Sequence, residues 1–291
     1  MGNAATYATF YLFADDTAIT VKANDFEGLQ RIIDQLTPDI SNWFQANRLS
    51  LNVQKTNYQI YSRNQAQNLN IKINGAHISR KTCIKYLGVL IDEDLKWKSH
   101  IKSITSKISR NIGIMGRVKY FLEPKQLLML YNTLVLPYLN YCAVIWGINY
   151  FSNIKHLIIL QKRALRIIGK KPYLYPSNPL FIKYNIIKLP DLVKEQCIMI
   201  LLSFINNSMP PSMSKMFKLN TLRATRHAKH FALPFGATNY ILFSLKYSGP
   251  KFWNEIVGKI YREIDDVPRI KGTLKRDVRK HFIHTYNLQV E

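Results

Sequence analysis

Asp15 and Asp16 stand side by side between two short apolar runs, Tyr11-Leu12-Phe13 and Ala18-Ile19-Thr20-Val21. Tyr, Phe, Ile, Thr and Val favour strands. Ala14-Asp15-Asp16 suits a tight turn, because aspartate accepts the backbone angles that a turn demands. The segment therefore predicts a β-hairpin with two carboxylates at its tip. Two anions held in this way repel unless a cation lies between them. Hard oxygen ligands of this kind suit Mg²⁺ or Mn²⁺. Such a site assists phosphoryl transfer by holding one ion at the attacking oxygen and one at the leaving oxygen. The other reading of the same residues is a solvated turn. A second acidic pair, Asp265-Asp266, lies between Tyr261-Arg262-Glu263 and Val267-Pro268. It has no apolar strand on either side and is assigned no catalytic role.

Elements that could position the hairpin follow directly. Leu29, Ile32, Ile33, Leu36, Ile40, Trp43 and Phe44 recur at helical spacing, with Asn24 or Asp25 as the cap. Pro38 predicts a kink or a break into two short helices, and the aromatic positions are expected in the core. Asn57 to Ser62 reads as a strand. Asn74-Gly75 between Ile71-Lys72-Ile73 and Ala76-His77-Ile78 is a type I′ hairpin signal, with His77 an exposed strand residue. Ile84 to Ile91 reads as a strand that closes this region.

From Leu95 onward the periodicity turns helical. Ile101, Ile104, Ile108, Ile112 and Met115 form one stripe, and Lys102, Lys107, Arg110 and Arg117 lie off it. Leu127 to Leu136 and Tyr138 to Trp146 are apolar nearly all round and are expected to be buried. Ile154 to Ile168 predicts a helix with Lys162, Arg163, Arg166, Lys170 and Lys171 gathered at its end. Those charges also suit the negative end of a helix dipole. Leu189 to Phe204 reads as an apolar helix. Residues 212–248 are basic and poorly periodic, and read as a loop that contacts nucleic acid. Gly249-Pro250 is expected to start the last helical unit. Lys271 to Lys280, with Lys275, Arg276 and Arg279, reads as a basic helix.

The charge is lopsided. Residues 1–100 carry 11 Lys and Arg against 9 Asp and Glu, whereas residues 101–291 carry 30 against 9. A one-signed field of that size calls for a polyanionic partner, and nucleic acid fits best because phosphate neutralisation releases condensed counterions. Cys83, Cys142 and Cys197 are scattered with no Cys-x-x-Cys pair, so no zinc framework is visible. Such scattering suits an intracellular protein of the nucleus or cytoplasm. Residues 127–151 contain no charge, but Asn132, Pro137, Asn140 and Asn149 within them argue against a membrane span. Met1-Gly2-Asn3-Ala4-Ala5-Thr6 matches a myristoylation pattern at Gly2. The favoured reading of that match is accident, and the alternative is a lipid-tethered membrane-surface protein.

Phe13-Ala14-Asp15-Asp16 resembles the Phe/Tyr-x-Asp-Asp motif of reverse transcriptases. Downstream come Asn47-Arg48-Leu49-Ser50-Leu51-Asn52-Val53-Gln54-Lys55-Thr56, Tyr86-Leu87-Gly88-Val89-Leu90-Ile91-Asp92 and Leu130-Tyr131-Asn132-Thr133-Leu134. After them stand Tyr141-Cys142-Ala143-Val144-Ile145-Trp146-Gly147, Leu160-Gln161-Lys162-Arg163-Ala164-Leu165-Arg166 and Gly249-Pro250-Lys251-Phe252-Trp253-Asn254. This ordered series is similar to LINE-type (non-LTR, Jockey-like) retrotransposon reverse transcriptases, over about residues 10 to 286.

The resemblance implies an α+β fold: part of a palm subdomain (antiparallel sheet plus helices) at 1–95, a thumb-like helical region at 96–185, and a basic helical C-terminal region at 186–291. It implies RNA-directed DNA polymerisation with Mg²⁺ or Mn²⁺, Asp15 as the main metal ligand and Asp16 as the auxiliary one. Lys55 is implied near a phosphate, its other reading being a solvated loop lysine. An RNA template and DNA primer are the implied partners of the basic helices. Family members carry a further catalytic aspartate upstream, whereas the fourteen residues before Asp15 include no acidic one. The expectation is therefore a C-terminal fragment, incomplete alone unless another segment or chain supplies that ligand. The rival expectation is a non-enzymatic nucleic-acid-binding protein derived from a retroelement.

Overall fold

A computed structural model describes residues 8–14, 16–62, 67–220, 230–236, 238–261 and 263–288. The chain divides into two compact units, 1–95 and 96–291.

In the first unit, β1 (Ala8–Phe13) and β2 (Asp16–Val21) pair antiparallel from Ala8 against Val21 to Phe13 against Asp16. The register leaves a tight loop in which Ala14 sits at φ +52. The two-residue turns of β-hairpins require positive φ at that point, at some steric cost for a residue with a Cβ. α1 (Phe26–Ala46) follows. The Asp25 carboxylate accepts from the Gly28 amide at 2.6 Å and caps the helix start. The helix runs through Pro38 as one element, so the break into two helices does not occur. Its Ile33 and Leu36 are buried, the former in a small core with Ile60 and Leu69. Trp43 is exposed, contrary to the expectation that the helix aromatics are core. Gln30 trades hydrogen bonds with Asn70, its Nε2 donating to the carbonyl and its Oε1 accepting from the amide, each at 2.9 Å. The pair ties α1 to the following segment.

The rest of this unit is short strands: β3 (Asn57–Tyr58), β4 (Lys72–Ile73), β5 (Ala76–His77), β6 (Ser79–Arg80), β7 (Cys83–Tyr86) and β8 (Val89–Asp92). They form two-stranded ladders, β3 with β6 parallel, β4 with β5 and β7 with β8 antiparallel. The strand predicted over Asn57 to Ser62 shrinks to its first two residues. Asn74 and Gly75 both have positive φ, +50 and +76, as the type I′ reading requires, and His77 is exposed. Leu87 and Gly88 do likewise at +44 and +83. Tyr86-Leu87-Gly88 is thus a strand end and a turn, not one strand. The α+β class holds. Among the described residues, the single antiparallel sheet is replaced by four separate ladders.

The second unit is helical: α2 (Lys98–Val118), α3 (Pro124–Leu134), α4 (Leu136–Asn140), α5 (Ala143–Trp146), α6 (Phe151–Ile168), α7 (Asn178–Lys183), α8 (Leu189–Ile205), α9 (Pro211–Ser214), α10 (Asn239–Leu242), α11 (Leu245–Ile260) and α12 (Lys271–Asn287). All five residues of the α2 stripe are buried. The stretch 127–146 breaks at Val135 and at Tyr141-Cys142 into three helices, with Pro137 in the first turn of the second, and Met129, Tyr141 and Ile145 are exposed rather than buried. Among the described residues, no helix is long and apolar enough to cross a membrane. One continuous core runs from Ile101 to Tyr286. Gly249 and Pro250 lie buried inside α11 rather than at its start.

Buried polar groups fix how these helices meet. Gln161 on α6 donates to the Tyr131 hydroxyl and to the Ile187 carbonyl, both at 3.0 Å. Its Oε1 accepts from the Leu189 amide at 2.9 Å. One side chain thus joins α3, α6 and the entry to α8. α12 is docked by Arg279, whose guanidinium makes a two-pronged pair with buried Glu195 on α8, and by the Tyr286 hydroxyl, which donates to Asp191 at 2.6 Å. Trp253 Nε1 donates to His230 Nδ1 at 3.0 Å, so His230 is a buried hydrogen-bonded residue of the fold. Of the loop expected to contact nucleic acid, 221–229 lies outside the described residues.

Candidate functional site

Asp16 opens β2 directly across from Phe13 and is exposed to solvent. The carboxylate is therefore presented at the closed end of the hairpin, next to exposed Leu12 and Phe13. Asp15 and Gly2 lie outside the described residues. Lys55 is exposed in the turn after α1, where its amide donates to the Asn52 side chain at 3.2 Å. This bond from backbone to side chain, three residues apart, holds the turn through the Lys55 amide and does not engage the Lys55 side chain. Among the described residues, no group of three or more His, Cys, Asp or Glu could hold a metal ion.

The cations of the second unit fall into two sets. Lys102, Lys107, Arg110 and Arg117 are all exposed on α2, away from its buried stripe. On α6, Arg163 is exposed while Lys162 and Arg166 are half-buried, and Lys170 and Lys171 are exposed just past the helix end. The two helices lie side by side and parallel. At one end the Asn149 side chain donates to the Lys96 carbonyl at 3.0 Å. At the other, a Cβ added to Gly116 would meet Ile167 Cδ1 at 3.8 Å. The basic faces predicted separately thus share one side-by-side pair of rods, and both rods end together.

The α12 cations divide differently. Lys275 and Arg276 are exposed, but Arg279 is committed to Glu195, and Lys275 Nζ also lies 3.4 Å from that carboxylate. Removing a carboxylate from water is costly unless cations meet it, so this cluster holds the fold together. Arg166 is likewise partly committed: its Nε donates to the Tyr175 carbonyl at 2.8 Å, pinning the turn after α6.

The functional weight of Gln161 is not evident from its place in the motif at 160–166. The available signal was a polar residue inside the buried repeat Ile154, Leu157, Ile158, Gln161, Ala164, Leu165, Ile168. A polar group at such a position needs partners, because burial without hydrogen bonds is costly.

No family model matches the chain, and no solved structure matches it. Its relatives include RNA-directed DNA polymerases of mobile elements. The RNA-directed DNA polymerase from mobile element jockey of Drosophila melanogaster is 25% identical over 189 residues, covering 62% of this chain and 20% of the relative. The probable RNA-directed DNA polymerase from transposon BS, also of Drosophila melanogaster, is 26% identical over 182 residues, covering 60% and 20%. A retrovirus-related Pol polyprotein from a type-1 retrotransposable element R1 of Nasonia vitripennis is 24% identical over 143 residues, covering 46% and 35%. The chain is a homologue of the jockey, BS and X-element polymerases of non-LTR retrotransposons. It spans about a fifth of the length of these curated relatives.

Proposed function

We propose that this chain forms part of an RNA-directed DNA polymerase, carrying the Asp15-Asp16 pair and the helices that grip primer and template. The observation that carries this reading is the hairpin with Asp16 at its closed end, in a chain whose relatives are polymerases of that kind. Residues 1–95 are then the C-terminal part of a palm, 96–185 a thumb, and 186–291 a basic C-terminal region. Asp15 is the main ligand for a divalent cation and Asp16 the auxiliary one. Two carboxylates suit Mg²⁺ or Mn²⁺ in kind, but a closed site needs more oxygen ligands than this pair supplies. Further donors come from the substrate phosphates and from an additional carboxylate, held by another segment or another chain. A bound cation there supplies charge neutralisation at the reacting phosphate. The chain's own residues present the carboxylates, and Lys55 meets a phosphate oxygen. Exposed cations on α2 and α6 hold the duplex backbone without reading its sequence.

Primer extension tests this reading. The full chain is given an RNA template, a DNA primer and either Mg²⁺ or Mn²⁺, beside Asp15→Asn. Metal-dependent incorporation that disappears in Asp15→Asn supports the complete reading. Binding of the RNA–DNA hybrid that weakens with salt, without incorporation, supports the grip and narrows the catalytic claim to a longer assembly. Absence of hybrid binding at 50 mM salt refutes it.

A further inference from the structure

We propose that the shared end of α2 and α6 is a stacking site for unpaired bases of single-stranded RNA. The proposal rests on the reading that these helices bind nucleic acid, and it adds a ligand that the phosphate grip does not need. The turn after α2 exposes Tyr120 at 77% and Phe121 at 86%. The turn after α6 exposes Tyr173 at 70% and Leu174 at 87%. Because α2 and α6 are parallel and end together, the two turns that carry these exposed residues leave the pair at the same end. Cations attend them. Lys119 Nζ lies 4.8 Å from the centre of the Tyr120 ring, and the Arg166 guanidinium 5.8 Å from that of Tyr173.

Large apolar side chains grouped in the open mark a contact surface. Planar rings beside cations fit a base with its phosphate, since stacking accepts any base and the cation meets the backbone. Charge complementarity is one-sided: between Asp94 and Asp191 the sequence holds a single carboxylate, Glu123. Aromatic and basic residues at a tip also suit an anionic membrane, but the arrangement of charge decides against it. A flat surface touching the tip meets only the cations there. Here the cations continue back along α2 from Arg117 to Lys102, about 22 Å at 1.5 Å per residue. That track fits a strand running off the tip along the helix.

The test uses fluorescence anisotropy of the full chain with a labelled single-stranded RNA carrying 2-aminopurine, beside the same RNA as a duplex. The variants are Tyr120→Ala with Phe121→Ala, Tyr173→Ala, and Lys119→Ala with Lys170→Ala. The substituted rings are solvent-exposed, so circular dichroism should show an unchanged fold. Loss of the rings should weaken single-strand binding by roughly 10- to 100-fold and abolish 2-aminopurine quenching, with duplex binding and the salt slope unchanged. Loss of the lysines should instead flatten the salt slope. Ring variants that bind single strands within twofold of wild type overturn the stacking site while leaving the grip standing. So does loss of binding to phosphatidylserine vesicles with RNA binding intact, which would make the tip a membrane contact. A wild type that binds neither RNA form overturns both readings.

Discussion

Replacing Gln161 with leucine removes three hydrogen bonds from the centre of the helical unit while roughly keeping side-chain volume. The Ile187 carbonyl and the Leu189 amide both lose their side-chain partner. The Leu189 amide belongs to the first turn of α8, where no carbonyl of the helix itself can accept it. The Tyr131 hydroxyl, wholly buried, loses the amide that donates to it. Each buried group left unsatisfied costs about 1–3 kcal/mol, and better burial of leucine offsets part of this. The expected loss is roughly 3–5 kcal/mol. For a unit of this size that lowers the midpoint of thermal unfolding by about 6–20 °C. Urea unfolding followed by far-UV circular dichroism measures it. Tyr131→Phe supplies the control: alone it should cost about 1 kcal/mol, whereas in the Gln161→Leu background it should restore about 1 kcal/mol, because it removes the buried hydroxyl that has lost its partner. A loss below about 1 kcal/mol for Gln161→Leu would show that water or a local shift satisfies these groups, and would refute the three-way junction.

Two further outcomes follow from burial. The helical unit should lose stability in alkali. Burial pushes the Tyr131 hydroxyl up to about 12, and burial followed by hydrogen bonding to Asp277 does the same for Tyr261. Tyr286 is raised further by burial and by Asp191. Unfolded tyrosines ionise near 10, so the folded chain holds the extra protons. Its stabilisation is complete below pH ~10 and is lost as pH rises toward 12. Absorbance at 295 nm should show late-ionising tyrosines whose release coincides with loss of helix, and ionisation of every tyrosine near pH 10 with helix intact would contradict this. In the first unit, β1 and β2 form a two-stranded ladder with Tyr11, Leu12 and Phe13 exposed. A hairpin of this kind is marginal by itself. Its amides should exchange at least about 100-fold faster than those of α2 at Ile108 and Ile112, which are fully buried, and equal protection would sink the expectation.

Periodicity alone decided much of this protein. The α2 stripe from Ile101 to Met115 was legible to the residue, because a helix must bury one face and spacing reveals which. The Asn74-Gly75 hairpin was legible because that pair accepts positive φ at low cost. The ordered motifs by themselves pointed to the polymerase relatives. Other features were decided only by packing. Trp43 looked like core by spacing, yet it lies beyond the part of α1 that meets the small core around Ile33. Tyr86-Leu87-Gly88 looked like strand, because Tyr86, Val89 and Ile91 around it favour strand by type, whereas Leu87 adopts φ +44 because the β7–β8 register demands a turn there. Arg279 reads as a cation for a ligand until Glu195, 84 positions away, is brought against it. The same distance argument explains Gln161: its partners lie on other elements, and a sequence shows polarity without showing who answers it. Local chemistry is written along the chain, whereas the pairing of one buried group with another belongs to the tertiary structure, because desolvation is set by what packs around a side chain and not by its neighbours in sequence.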